Sequence, residues 1–207
     1  MFTLRKPAAS RIDTCLRLQR RLPFSYREAG ATRDETTPGG YRSAVHRVCL
    51  GEGAETFARA REAIRGWKMF PSEFLQVCWP HAPIEPGSTV GILCRSLGLW
   101  SLHVCRIVYV VDESDRDVER FGFAYGTLPH HFECGEERFM VEWDHRDDRV
   151  WYDVRMFCRP KNWLARLGDS IVRRLQRKFG VLTKDAMQRA VAMNAMARAG
   201  AHCANET

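Results

Sequence analysis

Residues 121–160 read FGFAYGTLPHHFECGEERFMVEWDHRDDRVWYDVRMFCRP, and their alternation is the clearest indication of the fold. From 135 to 143 the side chains alternate with the two-residue period of a β-strand: Phe139 and Val141 point to one face, Arg138 and Glu142 to the other. The next run, 149–159, alternates in the same way after the polar turn DHRDD. The pattern predicts two antiparallel strands of a sheet with one dry face and one face in water.

The same signals continue outward in both directions. Strands are predicted at 41–50, 72–79, 88–97, 100–111, 119–127, 136–144 and 149–159. Between the first two, a helical pattern carries Phe57, Ala60, Ile64 and Trp67. The short connections between the last six strands favour antiparallel neighbours.

A long amphipathic helix is predicted at the C-terminal end of the chain. Its apolar positions recur every three or four residues at Leu164, Leu167, Ile171, Leu175, Phe179, Leu182, Ala186 and Ala190. We expect Leu167, Ile171, Leu175 and Phe179 to be buried on the dry face of the sheet. Gly180 is a point where this helix could bend. The predicted class is therefore α+β with a helix-grip arrangement, in which a curved antiparallel sheet of about seven strands surrounds a long C-terminal helix.

The predicted organisation has three parts. Residues 1–40 form an N-terminal helix, at about 8–21, followed by an extended wrap that either packs on the body or moves. Residues 41–200 form the helix-grip domain, and 201–207 form a tail.

Length and composition indicate a soluble, intracellular protein. The 207 residues are 45% hydrophobic, which suffices for one core, and no window approaches the ~18 consecutive apolar residues of a membrane-spanning helix. Eight cysteines occur without any CxxC spacing, at positions 15, 49, 78, 94, 105, 134, 158 and 203. Reduced thiols in the cytoplasm are the simplest interpretation.

No metal and no cofactor are expected. Three-residue spacing on a strand sends His and Cys side chains to opposite faces, and of the four His/Cys neighbours only His103 and Cys105 share one. We expect His103 to be a hydrogen-bonded wall residue. No glycine-rich phosphate loop follows a strand, and no serine occupies a G-x-S-x-G turn.

The net charge of +7 is concentrated near one segment. Between 159 and 178 there are seven cations, Arg159, Lys161, Arg166, Arg173, Arg174, Arg177 and Lys178, against the single anion Asp169. A solvated helix face is the favoured interpretation, and a surface for nucleic acid or anionic lipid is the alternative. Because this face lacks interleaved stacking aromatics, we expect no nucleic-acid partner.

Several segments together carry a family resemblance. They are FSYREAGAT (24–32), GYRSAVHRVCLGEG (40–53), the Trp67 region, LGLWSLHVCRIVYVVDE (97–113), FGFAYGTLPHHFECGEERF (121–139) and VWYDVRMFCRP (150–160). The chain resembles the domain-of-unknown-function family nineteen-ninety over nearly its whole length. This resemblance implies a remote similarity to the START, polyketide-cyclase and pollen-allergen superfamily, whose members hold hydrophobic ligands in a cavity and occasionally catalyse reactions there. It implies no specific activity.

The family's most distinctive stretch usually reads GTLPGHPERGEERF, and residues 126–139 resemble it. Three positions depart: His130 replaces Gly, Phe132 replaces Pro and Cys134 replaces Arg. The first two departures could change the geometry of the turn.

The loop and the strands beside it supply the candidate ligand site. The candidate residues are Tyr109, Tyr125, Thr127, His131, Glu133, Glu137, Phe139 and Trp151. Imidazole, carboxyl and phenol groups can anchor a polar ligand head or move protons, whereas aromatic rings can line an apolar pocket. The leading hypothesis is a binding protein for a small hydrophobic or amphipathic molecule. The alternatives are an enzyme of cyclase or hydrolase type that uses a His–Glu pair, and a polar hairpin that merely faces water. The sequence indicates neither a catalytic residue nor an oligomeric state.

Overall fold

The computed structural model describes residues 2–71, 73–79, 83–96, 98–161 and 169–204. The strands are β1 Phe2–Thr3, β2 Arg42–Glu52, β3 Leu75–Cys78, β4 Thr89–Ser96, β5 Leu99–Ser114, β6 Val118–Thr127, β7 Glu133–Asp144 and β8 Arg149–Pro160. The helices are α1 Ala9–Gln19, α2 Gly53–Arg65 and α3 Asp169–Ala204. None of these helices carries the long apolar run that a bilayer-spanning helix requires.

All strand pairs are antiparallel and belong to one sheet. Seven strands follow the order β2-β8-β7-β6-β5-β4-β3, and the short β1 pairs with β5 beside this path. The prediction of an α+β helix-grip protein, with about seven antiparallel strands and a long C-terminal helix, is confirmed. The two-residue strand β1 was not predicted, because a pair of residues carries no readable period.

The concave face of the sheet is covered by α2 and α3. Phe57, Ala60 and Ile64 of α2 join the main apolar core, as the helical spacing predicted. On α3, the buried side chains within 173–193 are Phe179, Thr183, Ala186, Met187 and Val191. The buried face thus includes Thr183 and Met187, whose side chains the apolar spacing alone did not select.

The four-residue stripe predicted on α3 has mixed outcomes. Phe179 is buried in the core. Leu175 is only partly buried, because it borders a cavity. Leu167 and the side chain of Ile171 lie outside the described residues. The helix continues through Ala204, beyond the expected start of the tail at 201.

Part of the convex face of β7 is covered, contrary to the prediction that this face of the strand is in water. Glu136 and Arg138 point to this face, yet they are only 3% and 4% exposed. Residues 22–40 cross over them, and α1 packs on β4 and β5 through Ile12, Leu93 and Leu102. The N-terminal wrap therefore packs on the body as a third layer. The charged side chains Glu136 and Arg138 of β7 bind the polar backbone groups of this wrap.

Gly180 lies inside α3 without interrupting it, at a close approach to β2. A Cβ atom at this position would come within 2.2 Å of His46 Nε2. Alanine is normally better than glycine in a helix interior by about 1 kcal/mol, so the glycine is explained by this contact.

We therefore expect Gly180→Ala to destabilise the wild-type protein by about 1–3 kcal/mol, as overpacking does. In a His46→Ala background the same change should stabilise by up to about 1 kcal/mol, because only the helix propensity remains. Urea unfolding of the four proteins in this cycle measures the two effects. The same sign in both backgrounds would contradict the contact.

Candidate ligand cavity

A cavity of about 710 Å³ lies between the concave face of the sheet and α3. Its apolar wall includes Phe70, Phe74, Leu75, Ile92, Leu175 and Phe179. Volumes of about 300–1,000 Å³ with mostly apolar walls are typical of small-molecule sites. The exposed residues Leu99, His130 and Lys161 mark its rim.

A tyrosine and a glutamate meet at the inner end of the cavity. Tyr125 on β6 and Glu137 on β7 are direct cross-strand partners, and the Tyr125 hydroxyl donates to Glu137 Oε2 at 2.6 Å. Burial raises the pKa of Glu137 to about 7, although the bond from Tyr125 opposes the shift. Burial, with the nearby Glu137 charge, raises the pKa of Tyr125 well above its usual value. The pair holds a protonated phenol against a carboxyl group that titrates near neutrality.

Two imidazoles form a second polar group in the wall. His103 Nδ1 lies 3.1 Å from His131 Nε2, and His103 Nε2 lies 2.8 Å from Ser101 Oγ. The Glu133 N–H donates to His131 Nδ1 at 3.1 Å. That Nδ1 also lies 3.1 Å from the Glu133 carbonyl oxygen, which can only accept, so the tautomer of His131 decides which of the two backbone groups Nδ1 pairs with. Ser101, His103 and His131 thus form one hydrogen-bonded chain, whose direction follows from the tautomer.

Both imidazoles are neutral at physiological pH. Burial lowers the pKa of His131 to about 4, and burial followed by the His131 neighbour lowers the pKa of His103 well below its usual value. The expectation that His103 is a hydrogen-bonded wall residue agrees with these contacts.

The loop after β6 is fixed at the rim from several sides. The buried side chain of Gln19 on α1 accepts the His130 N–H at 3.0 Å, and Lys161 Nζ donates to the Pro129 carbonyl oxygen. Gln176 on α3 donates to Glu133 at 2.9 Å. His130 is not among the described non-glycine residues with positive φ, so the replacement of the family's usual glycine causes no left-handed strain.

Five of the eight candidate residues line the cavity: Tyr125, Thr127, His131, Glu133 and Glu137. Thr127 is held by its Oγ1, which accepts the Gly135 N–H at 3.0 Å. Phe139 points to the same face but is fully buried among Phe70 and Phe179, in the core beyond the cavity.

Tyr109 lies on the convex face, which corrects its placement in the candidate site. Its hydroxyl is 2.7 Å from Thr32 Oγ1 of the wrap. The pairing of β5 with β6 shifts register between Ile107 and Tyr109, so a β-bulge reverses the alternation at this point. Without the bulge Tyr109 would share the concave face with Ile107.

Trp151 also lies on the convex face, beneath the guanidinium of Arg47 at 4.8 Å. The alternation of β8 places Tyr152 and Val154 in the concave core, which leaves Trp151 on the other side. Its assignment to the site therefore conflicted with the strand period of its own segment.

Several lining residues were missed by the sequence reasoning. Ser101 and Cys105 follow from the period of β5 once His103 is placed on the concave face, and Ile92 and Cys94 follow from the period of β4. Phe70 comes from the irregular segment after α2 and Gln176 from α3, and no local pattern assigns either to a cavity.

Among the described residues, no group of three or more His, Cys, Asp or Glu side chains is arranged to hold a metal ion. The seven cysteines whose side chains are described carry free thiols. Burial raises the pKa of Cys105 and of Cys158 in the cavity wall, the latter to about 12, so both remain protonated.

Comparison with known proteins gives a family match. The model of the domain of unknown function DUF1990 matches residues 25–186. A UPF0548 protein of Dictyostelium discoideum is 35% identical over 210 aligned residues, covering 94% of this chain and 97% of its own. A UPF0548 protein of Deinococcus radiodurans is 37% identical over 191 residues, covering 86% and 92%.

Solved structures resemble the fold at low sequence identity. Ara h 8.0201 is 14% identical with a TM-score of 0.49, covering 74% of this chain and 99% of its own. Human STARD10 is 10% identical with a TM-score of 0.47, covering 91% and 81%.

Proposed function

This chain belongs to the DUF1990 family, and we propose that it binds a small hydrophobic or amphipathic molecule in the cavity between its sheet and α3. The observation that carries the proposal is the cavity itself, about 710 Å³ with a mostly apolar wall and a few placed polar groups. A cytoplasmic location stays a prediction from the cysteine spacing.

The polar groups divide the cavity along its length. The exposed His130 and Lys161 stand at the rim, whereas Glu137 and Tyr125 stand at the inner end, next to fully buried Phe139. Apolar residues such as Ile92 and Phe179 lie between the sheet and the helix. This arrangement suits a ligand whose apolar part fills the middle of the cavity while a polar group meets one end.

Binding is favoured over the alternative of a His–Glu acid–base pair. Both ring nitrogens of His131 are engaged, one with His103 and one with the Glu133 backbone. The Glu133 carboxylate accepts from Gln176. A general base needs a ring nitrogen directed at the substrate, and the contacts of His131 direct its nitrogens into the wall instead.

A bulky substitution on α3 that fills the cavity tests this proposal. Leu175→Trp should place an indole in the space and weaken binding of Nile red, a neutral apolar dye, by about tenfold or more, which corresponds to at least 1.4 kcal/mol. Val181→Trp is the matched control, because Val181 is 54% exposed on the same helix. Dye fluorescence titrations give the affinities, and thermal melts verify that both variants fold. Equal Nile red affinity for Leu175→Trp and wild type would contradict the site.

A further inference from the structure

We infer that the ligand carries a protonated amine, which pairs with Glu137 at the inner end of the cavity. This inference rests on the proposed function and specifies the chemical class of the ligand. It assigns to Glu137 the role of determining which polar group the cavity accepts.

One carboxylate oxygen of Glu137, Oε1, is an acceptor without a donor among the described residues. Glu137 Oε2 accepts from Tyr125, whereas no donor in the described part of the chain reaches Oε1, although that atom is buried. A buried carboxylate oxygen without a partner is costly, so it either stays protonated or receives a donor from a ligand.

The second observation is the absence of an internal counter-charge. None of the ion pairs among the described residues includes Glu137. Its titratable neighbours are Cys105 on β5, Tyr125 on β6, Tyr152 on β8 and Glu133 on its own strand, and each is neutral or an acid. Among the described residues, the cation that lines the cavity is Lys161, which is at the exposed rim and donates to the Pro129 carbonyl oxygen.

The neighbouring imidazoles do not supply the missing charge. Burial keeps the pKa of His131 at about 4 and that of His103 well below its usual value, so both rings are neutral at pH 7. The inner end of the cavity therefore presents an acceptor and a potential negative charge to whatever enters. It disfavours a ligand carboxylate by like-charge repulsion, and it favours an ammonium, which supplies both a donor and a charge.

Ammonium binding should also release protons. Because the pKa of Glu137 is raised to about 7, about half of the molecules carry its proton at pH 7. A bound cation favours the ionised carboxylate, so the pKa falls and roughly half a proton leaves per ligand. A neutral alcohol supplies the donor without the charge and should release almost none.

Decylamine and 1-decanol are matched probes, since they share one alkyl chain and differ in the head group. Isothermal titration at pH 7, in two buffers of different ionisation enthalpy, gives both affinity and proton release. We expect wild-type protein to bind decylamine about tenfold or more tightly than decanol, as a charge-assisted hydrogen bond allows, with proton release for the amine.

Glu137→Gln should abolish the preference and the proton release together. Glu142→Gln is the control, since Glu142 lies on the convex face between Arg47 and Arg120 and should leave both unchanged. Decanol binding with an equal or higher affinity than the amine would overturn this inference alone. A preference that survives Glu137→Gln would do the same. If neither probe nor Nile red binds, the proposed function fails and the inference falls with it.

Discussion

Replacement of Glu136 by alanine should destabilise the protein by about 3–5 kcal/mol, because it removes the acceptor that anchors the N-terminal wrap. The buried Glu136 carboxylate accepts from the Tyr26 hydroxyl at 2.7 Å, the Gly30 N–H at 2.7 Å and both donors of Thr32. Burial and the Glu136 charge raise the pKa of Tyr26, so its hydroxyl remains a donor. The substitution leaves the buried Tyr26 hydroxyl and the buried Thr32 N–H without this acceptor.

Urea unfolding compares this variant with Glu142→Ala, on the same strand and face. Glu142 forms ion pairs with Arg47 and Arg120 nearer the surface, and its loss should cost about 1 kcal/mol. Glu136→Gln should also destabilise, by about 1–3 kcal/mol, because its amide NH₂ would face donors rather than acceptors. Trypsin should then cleave the wrap at Arg27 or Arg33 sooner than in wild type. If Glu136→Ala unfolds at the same urea concentration as Glu142→Ala, the wrap is not anchored here.

Replacement of the next residue by glutamine, Glu137→Gln, should raise the free energy of unfolding at alkaline pH rather than lower it. In ligand-free protein, Glu137→Gln is expected to stabilise by about 2–3 kcal/mol at pH 8, and to change stability little near pH 4.5. Glutamine resembles the protonated acid and can still accept from Tyr125. It removes the cost of ionising a buried carboxyl to which the described residues supply no counter-charge.

The direction of this pH dependence follows from the difference in proton affinity between the folded and unfolded states. The pKa of Glu137 is raised to about 7 in the folded state, from about 4.5 when unfolded, so the folded state holds the proton more tightly. The contribution of protonated Glu137 to the free energy of unfolding is fully present below pH 4.5 and is lost as the pH rises through 7. The buried imidazoles act oppositely: stability present above pH 6.5 is lost as the pH falls towards the His131 pKa of about 4.

The difference between the stability–pH profiles of Glu137→Gln and wild type isolates the contribution of the Glu137 carboxyl to stability, since both proteins contain the same histidines. Protein refolded from denaturant ensures that no bound molecule neutralises Glu137. Chemical unfolding at several pH values between 4.5 and 8 provides the two profiles. If the difference in free energy of unfolding between the two proteins does not grow with pH, a group inside the protein neutralises the charge of Glu137.

Strand periods predicted much of this architecture. The alternation in residues 135–159 correctly separates Phe139 and Tyr152 from Arg138, and the apolar spacing on α3 identifies the element that covers the concave face. These predictions succeed because burial on one face forces a local pattern. Tyr109 was misplaced because one extra residue in β5 reverses the alternation, and no residue type announces that bulge.

Long-range polar partners could not be predicted. His103 and His131 are 28 residues apart, and the anchor of the wrap joins Glu136 to Thr32 across 104. Two segments that carry the family resemblance, FSYREAGAT and GEERF, meet in this anchor. The strand alternation already divides the acidic pair of GEERF between two faces, and the folded chain shows what each residue meets: Glu136 binds the wrap and Glu137 lines the cavity.

Native mass spectrometry of the protein purified from the organism that makes it shows whether the cavity holds a ligand. We expect wild-type protein and the exposed control Val181→Trp to carry one additional small organic molecule. Leu175→Trp, whose indole occupies the cavity, should have the mass of the polypeptide alone. An additional mass retained equally by Leu175→Trp, or no additional mass on any of the three proteins, would contradict the account.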